Sequence, residues 1–427
     1  MLEPRFIREN PELIRQALKD RNSKFDIEAF FALDREWRAS LQKIEELKQK
    51  KNEASKKIGE MIKAKQDPAA AKAEVGGISS ELESMEKAFS GIDEKYSRLL
   101  EFIPNVPHES VPVGKSAEDN KVVKEHGEIP RFSFKPKDHT EIGRMNGLFD
   151  LERGAKISGS GFILYTGQGA KLERALINFM LDVHTAEHGY KEIFPPYLVN
   201  RKSMRGTGQI PNLEEDMYRL KDEDLFLIPT AEVPVTNIHA DEVLKEEDLP
   251  VRYAAFSGCF RREAGSYGKD TKGLIRVHQF NKVELVKFAA PEKGMEELEK
   301  LLLDAEEILK RLGLPYRVLA LCTGDMSFAA HKCYDIELWA PGTGRWLEVS
   351  SCSVFSDFQA RRANIKYQPS DKTLKPRMVF TLNGSGVALP RLVISILENY
   401  QDPDGSVTVP EALRPYFGKD KIVPQAC

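Results

Sequence analysis

Two separated stretches of this chain carry arginines beside small polar residues, the combination that could hold a phosphorylated ligand. The first is Phe260-Arg261-Arg262-Glu263, followed by a Gly-containing polar stretch from Ala264 to Gly273 and then Leu274-Ile275-Arg276-Val277-His278-Gln279-Phe280. Its alternation reads as two strands joined by a long loop. An arginine there can present a planar donor fork to phosphate, and a phenylalanine across the hairpin offers a flat face to a purine. Structural ion pairs on a hairpin are the competing reading. The second stretch is Asn383-Gly384-Ser385-Gly386-Val387-Ala388-Leu389-Pro390-Arg391. Its small residues would let the backbone approach a ligand, and Pro390 suits the first turn of the apolar helix that follows, Leu392 to Tyr400. An arginine at the positive end of a helix is unfavourable for the dipole, so an anion is expected in front of it; a surface arginine in a turn would look the same.

Between these stretches lie Thr230-Ala231-Glu232, after the apolar run Phe226 to Ile228, and Phe280, Lys282 and Glu284, which strand alternation puts on one face. A carboxylate facing a pocket can take an ammonium or a hydroxyl. The plain alternatives are a helix-start carboxylate for Glu232 and an ion-pair partner for Glu284. The chain has no GxxxxGK[ST] loop, no GxGxxG on a strand and helix, no GxSxG elbow and no HExxH helix. A bound nucleotide would therefore rest on arginines.

Positioning these residues is the task of a mixed frame. Downstream of a proline-rich run, Pro104, Pro107 and Pro112 with Gly114, β-rich stretches alternate with helical ones such as Lys171 to His188 and Glu292 to Leu312. The expected fold class is α+β: an N-terminal antiparallel two-helix arm, then a domain with a mainly antiparallel sheet flanked by helices. The expected divisions are an arm over residues 1–105, a linker over 106–125 and a second, larger domain over 126–427 that carries these candidate residues.

The arm is read from periodicity. Leu33, Trp37, Ser40, Ile44, Leu47, Lys51, Ala54, Ile58 and Met61 recur in steps of three and four, and a second seam runs through Ile78, Leu82, Met85, Phe89, Ile92, Tyr96, Leu99 and Ile103. Asp67-Pro68 and Gly76-Gly77 interrupt them, so the stretch between Gln66 and Gly77 is expected to form the tip. Lys48, Lys50, Lys51, Lys56, Lys57, Lys63 and Lys65 make the distal half of the first helix basic. Such charges are a solvated face or a grip on a phosphate backbone. A narrow pair of helices is a poor core, which favours reach as its purpose.

Sixty-three Lys and Arg against 66 Asp and Glu leave a net charge of −3, so a nucleic-acid partner would need this local patch. Charged residues among Met1 to Arg15 break up any signal core, and no apolar run is long enough to span a bilayer. Cys259, Cys322, Cys333, Cys352 and Cys427 form no CxxC pair, neither a disulfide framework nor a zinc knuckle. A reducing cytoplasm is the expected compartment.

Taken together, these residues resemble the seryl-tRNA synthetases, class II aminoacyl-tRNA synthetases, over essentially the whole length. The most specific stretches are Gly169 to Leu176, Pro195 to Asn200, Thr230-Ala231-Glu232, Phe260 to Glu263, Glu348-Val349-Ser350-Ser351-Cys352-Ser353 and Asp357 to Arg362. The resemblance implies serine activation by ATP with Mg²⁺, transfer to tRNA(Ser), with tRNA(Sec) as a second candidate, and a seven-stranded antiparallel catalytic sheet. It implies a homodimer with Pro195 and Pro196 at the subunit contact, no membrane association, and an arm that contacts the long variable arm of a tRNA whose acceptor end enters the other subunit's site.

Residue roles follow by the same resemblance. Arg261 would meet the α-phosphate and the serine carboxylate, and Arg262 and Glu263 would belong to the ATP site, with Glu263 by the adenine. Phe280 and Arg391 would sandwich the base, Arg276 would lie near the outer phosphates, and Val277, Glu348, Val349, Ser350 and Ser351 would complete the ATP site. Glu348 and Ser351 would bind magnesium. Thr230, Ala231, Glu232, Glu284, Asn383 and Ser385 would line the serine pocket. Thr140, Gly161, Val354 and Pro390 depart from the family pattern, where Trp, Arg, Asn and Gly are usual. Pro390 restricts Leu389 and so bears on Arg391. Two alternatives remain open: a paralogue charging a carrier protein, which needs no arm, and a silent RNA-binding relative, which needs no phosphate arginines.

Overall fold

The structure is a computed structural model that describes residues 1–263 and 272–424. The chain forms two compact units, one of Leu2–Leu18 with Ser23–Pro104, the other of Met1, Lys19–Asn22 and Asn105–Cys427. Among the described residues no helix is long and apolar enough to cross a membrane.

The first unit is dominated by two long helices, α1 (Ile27–Lys63) and α2 (Ala69–Glu101). Asp26 starts α1 by accepting the N–H groups of Glu28 and Ala29. At 37 residues α1 is about 55 Å long. Ile44, Leu47 and Leu82 are buried along the seam, with Ile78, Met85 and Phe89 packed beside them. Near its base Tyr96 stacks on Phe30 and Trp37, and its hydroxyl donates to Asp34 at 3.0 Å. The turn is shorter than expected: α2 begins at Ala69 and carries Gly76 and Gly77 in its interior. Two glycines cost a helix about 1 kcal/mol each. Helix on both sides, with Val75 and Ile78 partly covered, outweighs that.

The second unit is built on an eight-stranded sheet: β1 (Lys121–His126), β2 (Lys191–Ile193), β3 (Val251–Phe260), β4 (Gln279–Ala289), β5 (Tyr316–Ala320), β6 (Lys332–Ala340), β7 (Arg345–Val354) and β8 (Phe380–Ala388), in the order β1-β5-β6-β7-β8-β4-β3-β2. The implied seven-stranded antiparallel sheet is thus corrected at one edge, where β2 pairs parallel with β3. The stretch 106–125, read in the sequence as a connection, contains most of β1. Helices α3 (Gly167–Ala186), α4 (Gly294–Arg311) and α5 (Leu389–Asn399) cover one face, where Leu176, Met180, Leu301, Leu309, Leu392 and Ile396 close over Val283, Leu285 and Val387. Alternation along β4 sends Val283 and Leu285 into that core and Val286 and Phe288 into a second core on the opposite face. The same alternation leaves Phe280, Lys282 and Glu284 to line a cavity.

Candidate active site

That cavity, about 610 Å³, lies over the ends of β3, β4, β7 and β8. Arg261, Glu263, Arg276, Val277, Phe280, Glu348, Val349, Ser351 and Arg391 line it, as do Thr230, Glu232, Glu284, Asn383 and Ser385. Two stretches more than a hundred residues apart therefore meet at one site.

The strands stop short of the arginines. β3 ends at Phe260 and β4 begins at Gln279, so Arg261 to Glu263 and Leu274 to His278 lie beyond the strands that were expected to hold them. One further backbone bond, Arg261 N–H to the His278 carbonyl at 2.8 Å, closes the pair, after which Glu263 turns away with φ 51°. Residues 264–271, the middle of the expected loop, lie outside the described residues, as does Cys427. The guanidinium of Arg261 stands 5.2 Å from the centre of the Phe280 ring. Arg276 pairs with Glu263.

Arg391 sits in the first turn of α5. Its Nε donates to the Ile275 carbonyl at 3.2 Å, and its Nη1 donates to the Glu348 carbonyl at 2.7 Å and carboxylate at 3.4 Å. Those acceptors supply the negative partner that an arginine at a helix start needs. Pro390 occupies an early helical position, where its missing N–H costs nothing.

At the deep end Thr230, Glu232, Lys282, Glu284 and Ser385 are all buried. Lys282 Nζ lies 2.5 Å from Glu284 and 3.0 Å from the Thr230 hydroxyl, which itself donates to Glu284 at 3.0 Å. Asn383 donates to the other Glu284 oxygen at 3.2 Å. Glu232 accepts from Gln359 at 2.7 Å and from Gln209 at 3.4 Å. Burial first, then the Glu284 charge, pushes its carboxyl up to about 7. Among the described residues the result is an acid-rich polar pocket with the Lys282 ammonium built into it.

Three expected positions do not line the cavity. Ala231 is packed into the second core, between Thr230 and Glu232, which face the site. Ser350 lies on the opposite face of β7 from Ser351 and donates to the Ser385 carbonyl at 2.6 Å. Arg262 points outward and fastens the neighbouring turn, through its N–H to the Asp216 carbonyl and its side chain to the Glu215 carbonyl. The glycines of the second stretch also serve a different purpose from the expected one. A Cβ on Gly384 would meet Cys352 Sγ at 2.9 Å, and one on Gly386 would meet His184 Nε2 at 2.9 Å, so both admit neighbours on the helix-covered face rather than a ligand. Lys282, Gln209 and Ser353 line the cavity although the resemblance assigns them no role there. Alternation alone could have claimed Lys282; nothing local marks Gln209.

Glu348 and Ser351 present a carboxylate and a hydroxyl to the cavity, hard oxygen donors of the kind Mg²⁺ accepts beside substrate phosphates. Asp335 stands opposite Ser351 in the β6–β7 ladder, and burial with the nearby Glu348 charge holds its carboxyl well above the usual range. A cation at this place would relieve that repulsion, so the donor set fits the metal.

The arm lysines Lys48, Lys50, Lys56, Lys57, Lys63 and Lys65 are exposed, while Lys51 is half-buried in the seam. Lys48 pairs with Glu86 at 2.8 Å.

Residues 1–107 match the model of the seryl-tRNA synthetase N-terminal domain, and residues 217–400 that of the tRNA synthetase class II core domain (G, H, P, S and T). A serine–tRNA ligase of Thermodesulfovibrio yellowstonii is 53% identical over 425 residues, covering 99% of this chain and 100% of its own length. One of Geobacillus kaustophilus is 54% identical over 424 residues, covering 99% and 100%. Among solved structures, seryl-tRNA synthetase from Pyrococcus horikoshii complexed with ATP superposes with a TM-score of 0.94 at 38% identity, covering all of both chains. A cytoplasmic serine–tRNA ligase from Naegleria fowleri in complex with AMP gives 0.86 at 29%, covering 98% of this chain and 97% of that one. With relatives this similar along nearly its full length, the chain belongs to the seryl-tRNA synthetase family of class II aminoacyl-tRNA ligases.

Proposed function

We propose that Arg261 and Arg391 hold one ATP between them while Thr230, Glu232, Glu284, Asn383 and Ser385 hold serine. The chain is a serine–tRNA ligase: it activates L-serine with ATP and transfers it to tRNA(Ser), as a dimer. What supports the residue assignment is the convergence of both arginines and a buried acid-rich pocket on one cavity.

The chemistry needs no protein nucleophile. The serine carboxylate attacks the α-phosphorus in line, the bond to the bridging oxygen breaks and pyrophosphate leaves. The tRNA 3′-terminal hydroxyl then attacks the carbonyl carbon and AMP leaves. Positioning and charge stabilisation carry the rate. Arg261 opposes charge growing on the α-phosphoryl oxygens and orients the serine carboxylate. Arg276 and Arg391 fix the remaining phosphates and the base, with Phe280 as the flat face. Glu348 and Ser351 would hold Mg²⁺, which when bound neutralises charge on the phosphate oxygens.

The serine ammonium faces Glu232, and its hydroxyl meets Glu284, Asn383 and Ser385. Alanine leaves those buried groups without a partner, which is how a polar pocket rejects an isostere lacking its hydroxyl. Threonine is excluded by size. The exposed arm lysines grip the tRNA backbone, and the enzyme acts in the cytoplasm. The arm is what a carrier-protein ligase would not need.

The test is serine-dependent ATP–pyrophosphate exchange repeated with each amino acid, followed by charging of tRNA(Ser), tRNA(Sec) and a carrier protein. Exchange with serine alone and charging of tRNA(Ser) are expected. Exchange driven equally by alanine or threonine would overturn the pocket assignment.

A further inference from the structure

Helix α5 grips one short segment of the cavity wall from both of its ends. Near its start, Arg391 Nε donates to the Ile275 carbonyl at 3.2 Å. Two turns later Glu398, fully buried, accepts four hydrogen bonds: the His139 N–H at 2.9 Å, His139 Nδ1 at 3.0 Å, the Thr343 N–H at 2.8 Å and the Thr343 hydroxyl at 2.7 Å. An acceptor carboxylate puts the imidazole proton on Nδ1 and leaves the lone pair on Nε2. That lone pair takes the N–H of Leu274 at 3.2 Å, in a buried place.

The segment is shaped to land on this ring. Gly273 has φ +62°, and a Cβ there would collide with His139 Nε2. Lys272 Nζ pairs with Asp138 at 2.5 Å, and Asp138 also caps the helix His139–Asn146 by accepting the N–H groups of Thr140 and Glu141. Leu274, Ile275, Arg276 and Val277 then form consecutive lining of the cavity.

We infer that His139 is a positioning residue for ATP: relayed from Glu398, its Nε2 holds the Leu274 amide and so sets the wall that carries Arg276 and the Ile275 carbonyl on which Arg391 rests. The inference rests on the reading of this wall as the ATP side of the site. His139 touches no reactant, and its effect passes through the backbone of residues 274–276. A displacement of this wall moves Arg276 and Arg391 together, because both depend on it.

Two near-isosteric variants separate this role from simple support of the fold. In His139→Asn the amide takes the place of Nδ1 and still donates to Glu398, but nothing reaches the Leu274 N–H. In His139→Gln the amide oxygen reaches the place of Nε2 and still accepts it. In pyrophosphate exchange, His139→Asn is expected to raise KM for ATP about tenfold, the worth of one buried hydrogen bond, with KM for serine little changed. His139→Gln is expected to stay close to the unmodified enzyme. Equal effects of the two variants, or KM for serine rising in step with KM for ATP, would overturn the inference. Should His139→Asn not fold, Gly273→Ala keeps the His139–Glu398 pair while pushing the segment off the ring, and an unchanged KM for ATP there would overturn it equally. Arg276→Ala serves as control: if it too leaves KM for ATP unchanged, the ATP-side reading is at fault; if it raises KM while the histidine variants do not differ, only the inference fails.

Discussion

Glu232 and Glu284 converge on one buried pocket, and burial together with the Glu284 charge lifts the Glu232 carboxyl to about 7. Gln359, Lys282 and Arg261 oppose the shift without cancelling it. The site is thus poised to gain negative charge near neutrality, where an amino-acid ammonium can complete it.

Serine capture is therefore expected to rise with pH. Below about 7 Glu232 is protonated and offers no charge; above it the carboxylate is formed. The kcat/KM for serine in pyrophosphate exchange should climb through that range, and Glu232→Gln should flatten the climb while lowering the plateau about tenfold or more. The same shift acts on stability with a definite sign. The folded state binds this proton more tightly than the unfolded chain, so its contribution is complete below the unfolded value and is lost as pH rises through about 7. Glu232→Gln should accordingly melt a few degrees higher than the unmodified enzyme at pH 8, with little difference at pH 5.

Removing the Arg261 fork should abolish adenylate formation, a loss of at least about 10²–10³ in exchange rate if it stabilises transition-state charge. Arg261→Lys should recover little, since a point ammonium cannot bridge phosphate and carboxylate as a planar fork does. Near-normal exchange by Arg261→Ala would refute the assignment.

Lys282 lies between Thr230 and Glu284 as an internal counter-ion. In Lys282→Met the two carboxylates face each other with that charge gone. KM for serine should rise about tenfold or more, with KM for ATP nearly unchanged, because unpairing a buried charge costs several kcal/mol locally.

Adding a methyl at Gly384 should damage the core and spare the chemistry. Gly384→Ala pushes against Cys352 and Leu301, so thermal unfolding should show a loss of about 1–3 kcal/mol. Substrate KM values measured below the transition should hold, since the clash is on the face away from the cavity.

Replacing Lys56, Lys57, Lys63 and Lys65 with Gln should weaken tRNA binding and flatten its dependence on salt, by roughly 0.7–0.9 in log–log slope for each phosphate left without its lysine. Pyrophosphate exchange without tRNA should be unaffected. An unchanged salt slope would assign these lysines to solvation alone.

Much of this is written into local patterns. The arm is legible because a seam of period 3.5 must bury itself against a partner, and the alternation of β4 places Phe280, Lys282 and Glu284 on one face whatever the fold around them. Where a local rule meets a tertiary one, the tertiary one wins. Gly76 and Gly77 look like a turn but are absorbed into α2, and Gly384 and Gly386 look like a ligand approach but admit Cys352, Leu301 and His184.

The amino-acid sequence by itself determined which groups are available and on which face of each element they stand: arginines in place of a phosphate loop, acids beside a lone lysine, a basic arm. Only tertiary structure decided that Arg261 and Arg391 share a cavity, that Ala231 and Ser350 turn away from it, that Gln209 and Gln359 reach Glu232, and that Glu232 titrates near neutrality. Periodicity is a property of neighbours along the chain. Convergence, burial and the electrostatic field belong to residues brought together by folding, and no local pattern records their distances.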